Sequence, residues 1–490
     1  MADPSSAAIP GPAGRAAPAP LVAIQVGAVS FVDEGVEGCL ETLQARGAVN
    51  ALFLADFTYT RGTGGRQVPG QPLPDHGAQE HDPGWIGGNY ARARPEYYGG
   101  TFIRPEAFAA PEHPGLDLLE AVLPAARARG LAVYSWIEES SYGPQLQNIP
   151  GFWRCLEVDH RGRLAGRPCL RHPDYRAWHL GLIEERVAAY GVDGVAWCSE
   201  RHGPLQAALM RWSEYAASTC FCPHCLAAAR ERGLDADRAR AGFAELEHLA
   251  GRAGAADRPP DGYFVSFWRL LLRYPELLGW DALWHEGQND FLRAAHGLVR
   301  GVGRGRSTFG WHIMHLNSFS PFYRATQDIA AFSHHADFLK LVAYNNCAGP
   351  RWVGHLQGLH RLFLADAAPR DTVAWMYAVL GVDEETDLDA VARHGWSAEY
   401  VRRETARAVA LVSPSCGGSG RTSIYPGIDI DIPTGAGQKK TTPDDVRAAV
   451  EAAFAGGAAG VVLSRKYSEM RLANLSAAGD AVRGLAARGP

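Results

Sequence analysis

No run of about 18 consecutive apolar residues occurs anywhere in the 490-residue chain, so the sequence offers no transmembrane helix. Neither sign of charge dominates. With 48 Lys and Arg against 53 Asp and Glu the net charge is −5, which gives no electrostatic reason to bind nucleic acid or an anionic membrane. Nine cysteines are an odd number and few for this length, which excludes a disulfide framework. Internal repeats and phosphate-cradling loops are missing. Gly-Arg-Gly-Arg at 303–306 and Gly-Gly-Ser-Gly at 417–420 match neither a P-loop nor a dinucleotide fingerprint. No His-x-His or His-x-x-x-His pair supports a histidine metal centre.

What remains is ordinary globular composition, 47% hydrophobic and 21% charged, which excludes a disordered or fibrous chain. Residues 1–20 are rich in Ala and Pro and have no continuous apolar stretch. They read as a disordered leader rather than a secretory signal, with the cytoplasm as the default compartment. Thirteen Trp and 17 Tyr can either stack on sugar rings or fill a core.

From residue 21 onward, eight short apolar runs alternate with amphipathic segments. The runs are Leu21–Val29, Ala51–Asp56, Leu131–Ile137, Gly194–Cys198, Thr308–His315, Phe338–Tyr344, Ser423–Ile430 and Gly460–Ser464. Eight βα alternations over 21–490 predict an α/β fold, a closed (β/α)₈ TIM barrel. Two long insertions, 57–114 after the second strand and 200–305 after the fourth, follow strand C-termini, where barrel enzymes build their sites. Two separate domains are the alternative.

Cys220-Phe221-Cys222-Pro223-His224-Cys225 places three thiols within six residues. Three thiolates can converge on one soft cation, and zinc in a structural site takes four tetrahedral ligands. His224 is too close in sequence to complete the set, which leaves Cys169 or Cys155; buried thiols that merely pack are the alternative. The segment Cys220–Cys225, with the helical run after it, resembles the zinc-binding Cys-x-Cys-x-x-Cys segment of family-42 β-galactosidases. That resemblance selects Cys169, at the head of Cys169-Leu170-Arg171-His172-Pro173-Asp174, as the fourth ligand. It also implies a catalytic acid/base glutamate at the end of the fourth strand, where Glu200 stands with Ser199 in place of the family's Asn. The ending Gly460–Tyr467 resembles that of glycosyl-hydrolase-like barrels related to the same family. These resemblances imply a glycosidase-type barrel with structural zinc and no organic cofactor, and they supply no substrate.

Glycoside hydrolysis ordinarily needs two carboxyl groups flanking one bond. Glu200 at the fourth strand end is the first candidate; its alternative is an ion pair with Arg201 or another rim cation. In the seventh strand, parity places Tyr425, Gly427, Asp429 and Asp431 on the axial face and Ile428, Ile430 and Ile432 on the helix face. Asp429 is the favoured nucleophile or base, followed by Asp431. The resembled family has a Glu there, and no Glu occurs between Glu404 and Glu451, which leaves open that hydrolysis is lost. Asp56, Trp136, Glu138, Arg201, His312, Lys340, Tyr344, Asn345, Tyr425, Arg465 and Lys466 are candidate substrate contacts at or near strand ends. Lys340 is expected to pair with an inward carboxylate such as Asp429 or Asp431 rather than act as a Schiff-base amine. The expected function is cleavage of a glycosidic bond in a small glycan or glycoside. The alternatives are a barrel that binds carbohydrate without cleaving it, or a sugar lyase or isomerase. The expected partner is a small carbohydrate, with no nucleic acid or membrane; self-association through surface aromatics is a further option.

Overall fold

The computed structural model describes residues 19–59, 64–139, 149–209, 217–254 and 257–488. Most of the leader expected over 1–20 lies outside the described residues. Eight parallel strands close into a barrel: β1 Leu21–Gly27, β2 Ala51–Thr58, β3 Ala132–Glu138, β4 Gly194–Cys198, β5 Thr308–Ile313, β6 Phe338–Val342, β7 Ser423–Asp429 and β8 Gly460–Ser464. Each pairs with the next, and β8 pairs back to β1 in register Leu21 with Gly460. The protein is a (β/α)₈ barrel. Observed strands stop short of several apolar runs because the chain turns into helix or loop there, as at Ala28 after β1 and Met314 after β5.

Strand parity sorts the side chains into two sets. One set points to the axis and fills the lower barrel with aromatic rings. Phe53 lies 5.1 Å from Tyr134 and 5.8 Å from both Trp136 and Phe338, and Phe338 lies 5.5 Å from Tyr425. Gly310 makes room for this plug, since a Cβ there would fall 2.1 Å from the Phe338 ring. The other set, including Val22, Ile24, Leu52, Leu54, Val133, Val195, Leu339, Leu341, Ile428 and Val461, joins the large core between strands and helices.

That outer layer also holds buried charge. Arg186 is fully buried and ion-paired with both Asp56 and Glu185, and it donates to Asn89 Oδ1 at 2.6 Å. Ser135 Oγ donates to Asp56 at 2.6 Å. Asp56 therefore stands behind the barrel wall, not at its mouth as expected. Its parity is opposite to that of Phe53 and Ala55, so its carboxylate points to the helix that carries Arg186. Removing the guanidinium would strand two carboxylates in a dry site. Arg186→Met is expected to cost roughly 3–5 kcal/mol of stability, read by urea denaturation. A loss below about 1 kcal/mol, which is typical of an exposed pair, would refute this placement.

Candidate functional site

The C-terminal ends of β3 to β6 bring Glu138, Glu200, His312 and Lys340 together above the aromatic plug. Lys340 is buried, 1% exposed, and among the described residues no carboxylate forms an ion pair with it. Its ammonium donates to Gln25 Oε1 at 3.0 Å and to Tyr344 Oη at 2.9 Å, and lies 3.4 Å from His312 Nδ1. It also sits over the Trp136 ring at 4.9 Å and the Tyr344 ring at 5.3 Å. The expected pairing of Lys340 with Asp429 or Asp431 does not occur. Burial lowers its pKa to about 8, which leaves it charged at neutral pH. Gly427 on β7 permits this packing, since a Cβ there would come within 2.8 Å of the Tyr344 ring and 3.2 Å of Lys340 Cε.

A lysine ammonium can only donate, so His312 Nδ1 accepts from it and the ring proton sits on Nε2. That Nε2–H donates to Glu200 Oε1 at 3.1 Å. The result is a directed chain, Lys340 to His312 to Glu200. The Glu200 side chain is 48% exposed, reached by water from the mouth. Surrounding protein works to raise its pKa, but the hydrogen bond from His312 and the nearby Arg351 charge outweigh this and hold the carboxyl below the usual range. His312 itself is held neutral, at about 4, by burial and then by the Lys340 charge. Cys198 joins Glu200 and His312 in a group whose ligand atoms lie within 4.8 Å of one another. The protonated Nε2 and the ammonium behind the ring disfavour a cation there.

Glu138 is inward and buried at the end of β3, in register with Cys198, and it accepts from Thr58 Oγ1 at 2.9 Å. Trp136 forms the floor, edge-on to His312 at 5.6 Å. Arg465 holds the rim of β8 through Glu469, at 2.7 Å.

Other expected contacts lie elsewhere. Arg201 is buried behind β4 and ion-paired with Glu139, whose carboxylate also accepts from Tyr175 at 2.6 Å and Ser199 at 2.7 Å. The alternative of a Glu200–Arg201 ion pair is therefore not found, because consecutive residues face opposite ways. Asn345 donates to Trp396 O at 3.2 Å and braces a loop. Lys466 is buried and donates to Gly65 O, tying β8 to the insertion after β2. Tyr425 belongs to the plug at the N-terminal end of the barrel, away from the mouth.

Neither seventh-strand carboxylate is open. Asp429 is inward but fully buried, accepting from Cys347 N at 2.8 Å and Asn346 Nδ2 at 3.2 Å. Burial raises its pKa to about 6. Asp431 lies beyond the strand in a left-handed conformation, φ 51°. It accepts from Arg471 Nε at 2.9 Å and Asn474 Nδ2 at 2.8 Å, outside the barrel. Parity was a sound guide to the strand's end and failed where the backbone turned.

Sequence reasoning missed Gln25, Cys198 and Arg351. Gln25 was detectable as the one polar side chain in Leu21–Gly27, on the axial parity of Ala23. Arg351, which lies 3.2 Å from His315 Nδ1 and 5.8 Å from the Tyr344 ring centre, gave no sequence signal.

Away from the mouth, Cys169, Cys220, Cys222 and Cys225 are all buried, and their sulfurs lie within 4.8 Å of one another. Cys169 Sγ is 3.6 Å from Cys225 Sγ and 3.7 Å from Cys222 Sγ. These four thiols could hold a metal ion. Among the described residues, no helix is long and apolar enough to cross a membrane.

No protein-family model and no curated protein sequence matches the chain. Among solved structures it is similar to the glycoside hydrolase domain of PgaB (BpsB) from Bordetella bronchiseptica, with 16% identity, 91% of this chain and 94% of that one covered, and a TM-score of 0.47. A class V chitinase from Pseudomonas fluorescens Pf-5 is similar with 9% identity, 94% and 99% covered, and a TM-score of 0.41. A chitinase from Chromobacterium violaceum ATCC 12472 has 9% identity, 95% and 99% covered, and a TM-score of 0.39.

Buried neutral histidines give the protein an acid-sensitive character. Burial lowers His179, His285 and His312 to about 4 and His355 to about 3. Between about pH 6.5 and 4 the unfolded chain takes up protons that the native state refuses, so stability falls as pH drops through that window. Denaturation at pH 5 should show a lower unfolding free energy than at pH 7, by about 1–2 kcal/mol per such histidine. A flat profile would contradict these burial environments.

Proposed function

We propose that this barrel is a glycoside hydrolase whose reaction centres on Glu200. The observation that carries the reading is the directed chain from Lys340 through His312 to a half-exposed, ionised carboxylate at the barrel mouth. An oriented carboxylate open to substrate on one side suits attack at an anomeric carbon or activation of water there. The proton-donating part falls to Glu138, on the adjacent strand end. A sugar entering the mouth would lie between these two groups, above the Trp136 floor and beside Arg465. His312 holds the Glu200 carboxylate in one orientation and stays neutral, so it donates a hydrogen bond without cancelling the charge.

The full engagement of Asp429 supports a second reading, a barrel that binds sugar without cleaving it, since the seventh-strand carboxylate is not available to substrate. Assays on aryl glycosides separate the two. Hydrolysis requires turnover that Glu200→Gln and Glu138→Gln each reduce by about 10²–10⁴-fold in kcat/KM. Full activity in both variants would sink the assignment. Calorimetric sugar binding without turnover would favour the second reading. Asp429→Asn should lower stability and leave KM close to that of the parent.

We also infer that the four thiols hold a structural zinc ion. Zn–S bonds of about 2.3 Å in a tetrahedron separate the sulfurs by about 3.75 Å, close to the 3.6 and 3.7 Å found for two pairs. Such a site would pin the segment before β4, through Cys169, to the one after it, through Cys220–Cys225. Elemental analysis of the purified chain should give about one zinc per molecule, and Cys220→Ser should lose it together with several degrees of Tm. Metal-free protein with unchanged melting would refute this.

A further inference from the structure

We propose that the helix Tyr263–Arg273 and the neighbouring helix Pro369–Leu380 form a docking face for a second copy of this chain. Large apolar side chains left exposed among the described residues concentrate there. Phe264, Trp268 and Leu272 are 50%, 55% and 70% exposed and recur every four residues, which sets them on one helix face. Val265 at 44% and Leu278 at 51% flank them. On the second helix, Trp375 and Val379 are 46% and 49% exposed, again four residues apart.

Both helices pack on the segment His360–Leu364. The opposite side of the first is anchored there by Phe267, stacked on Phe363 at 4.7 Å. The exposed stripe is therefore surplus to the chain's own core.

Two quantities favour a second copy as the occupant. An aromatic side chain offers about 150–250 Å², so the three half-exposed rings present roughly 300 Å². With the four aliphatic chains and a polar rim, the face approaches the ~800 Å² per partner of a standard interface. The second quantity is charge. The cations around the stripe are already neutralised within the chain: Arg258 by Asp366, Arg269 by Asp261 and Arg273 by Glu245. With these three cations neutralised, the stripe carries little of the charge that draws amphipathic helices to anionic lipid. It also lets two chains of net charge −5 meet without local repulsion. A twofold axis would set each stripe against its copy, the self-complementary arrangement that closes a dimer.

Sedimentation velocity on the full chain at micromolar concentration tests this. The expected result is a dimer that Trp268→Glu and Leu272→Glu, both at exposed positions, convert to monomer with at least a ~100-fold weaker Kd. Circular dichroism should be unchanged in both variants. A monomeric parent, a dimer that survives both substitutions, or a monomer that floats with anionic phosphatidylserine vesicles would overturn the proposal. These readouts are independent of glycoside turnover.

Discussion

A lysine ammonium buried at the centre of the barrel must be solvated by something other than water, and the groups that do so organise the mouth. Lys340 has two oxygen acceptors, one imidazole nitrogen and two aromatic faces around it. Its charge persists because every donor direction is used, although burial lowers its pKa. The lysine fixes the His312 tautomer, and the tautomer fixes which nitrogen faces Glu200. The half-exposed carboxylate thus inherits its orientation from a charge buried beneath the mouth. Gly427 and Gly310 belong to the same construction, since one leaves space for Tyr344 and Lys340 and the other for the plug beneath.

The insertion after β4 is the natural candidate for controlling access to that carboxylate. Glu200 lies two residues past the end of β4, and the chain then runs through Cys220–Cys225 before the long helix Glu276–Val302. A closed thiol site joining Cys169 to this segment would limit the freedom of the rim on both sides of the strand. That is local order, distinct from the barrel's own stability, which comes from the wall packed between strands and helices. Structural metal and reacting carboxylate would then be coupled by backbone rather than by contact.

Period and composition made the eight βα units legible, and spacing made the thiol cluster legible. Glu200 and Lys340 were also within reach of the sequence, because they sit at strand ends in apolar contexts that parity could orient. The misplaced residues share one cause. Asp56, Arg201 and Asn345 were judged by nearness to a strand end, without asking which face they occupied. Ala55, Glu200 and Tyr344 beside them hold the axial face, so alternation alone sends all three behind the wall. Asp431 fails for a different reason: alternation ends with the strand, and its positive φ reverses the chain. Arg351 arrives from a helix in the loop after β6, a tertiary approach with no sequence-local signature.

The same alternation separates two kinds of buried charge. Behind the wall, carboxylates face guanidinium groups: Asp56 and Glu185 face Arg186, and Glu139 faces Arg201. In such pairs the cost of desolvation is offset within the pair, and their removal is felt in folding. On the axial side, Lys340 and Glu200 are linked through a neutral imidazole, and among the described residues neither charge is cancelled by an ion pair with an opposite fixed charge. An uncancelled charge in a recess is expensive for the fold and useful for a reacting substrate, whose developing charge can complete what the protein leaves open. The functional reading therefore rests on Lys340 and Glu200, two axial charges at the ends of β6 and β4 that meet through an imidazole rather than through each other.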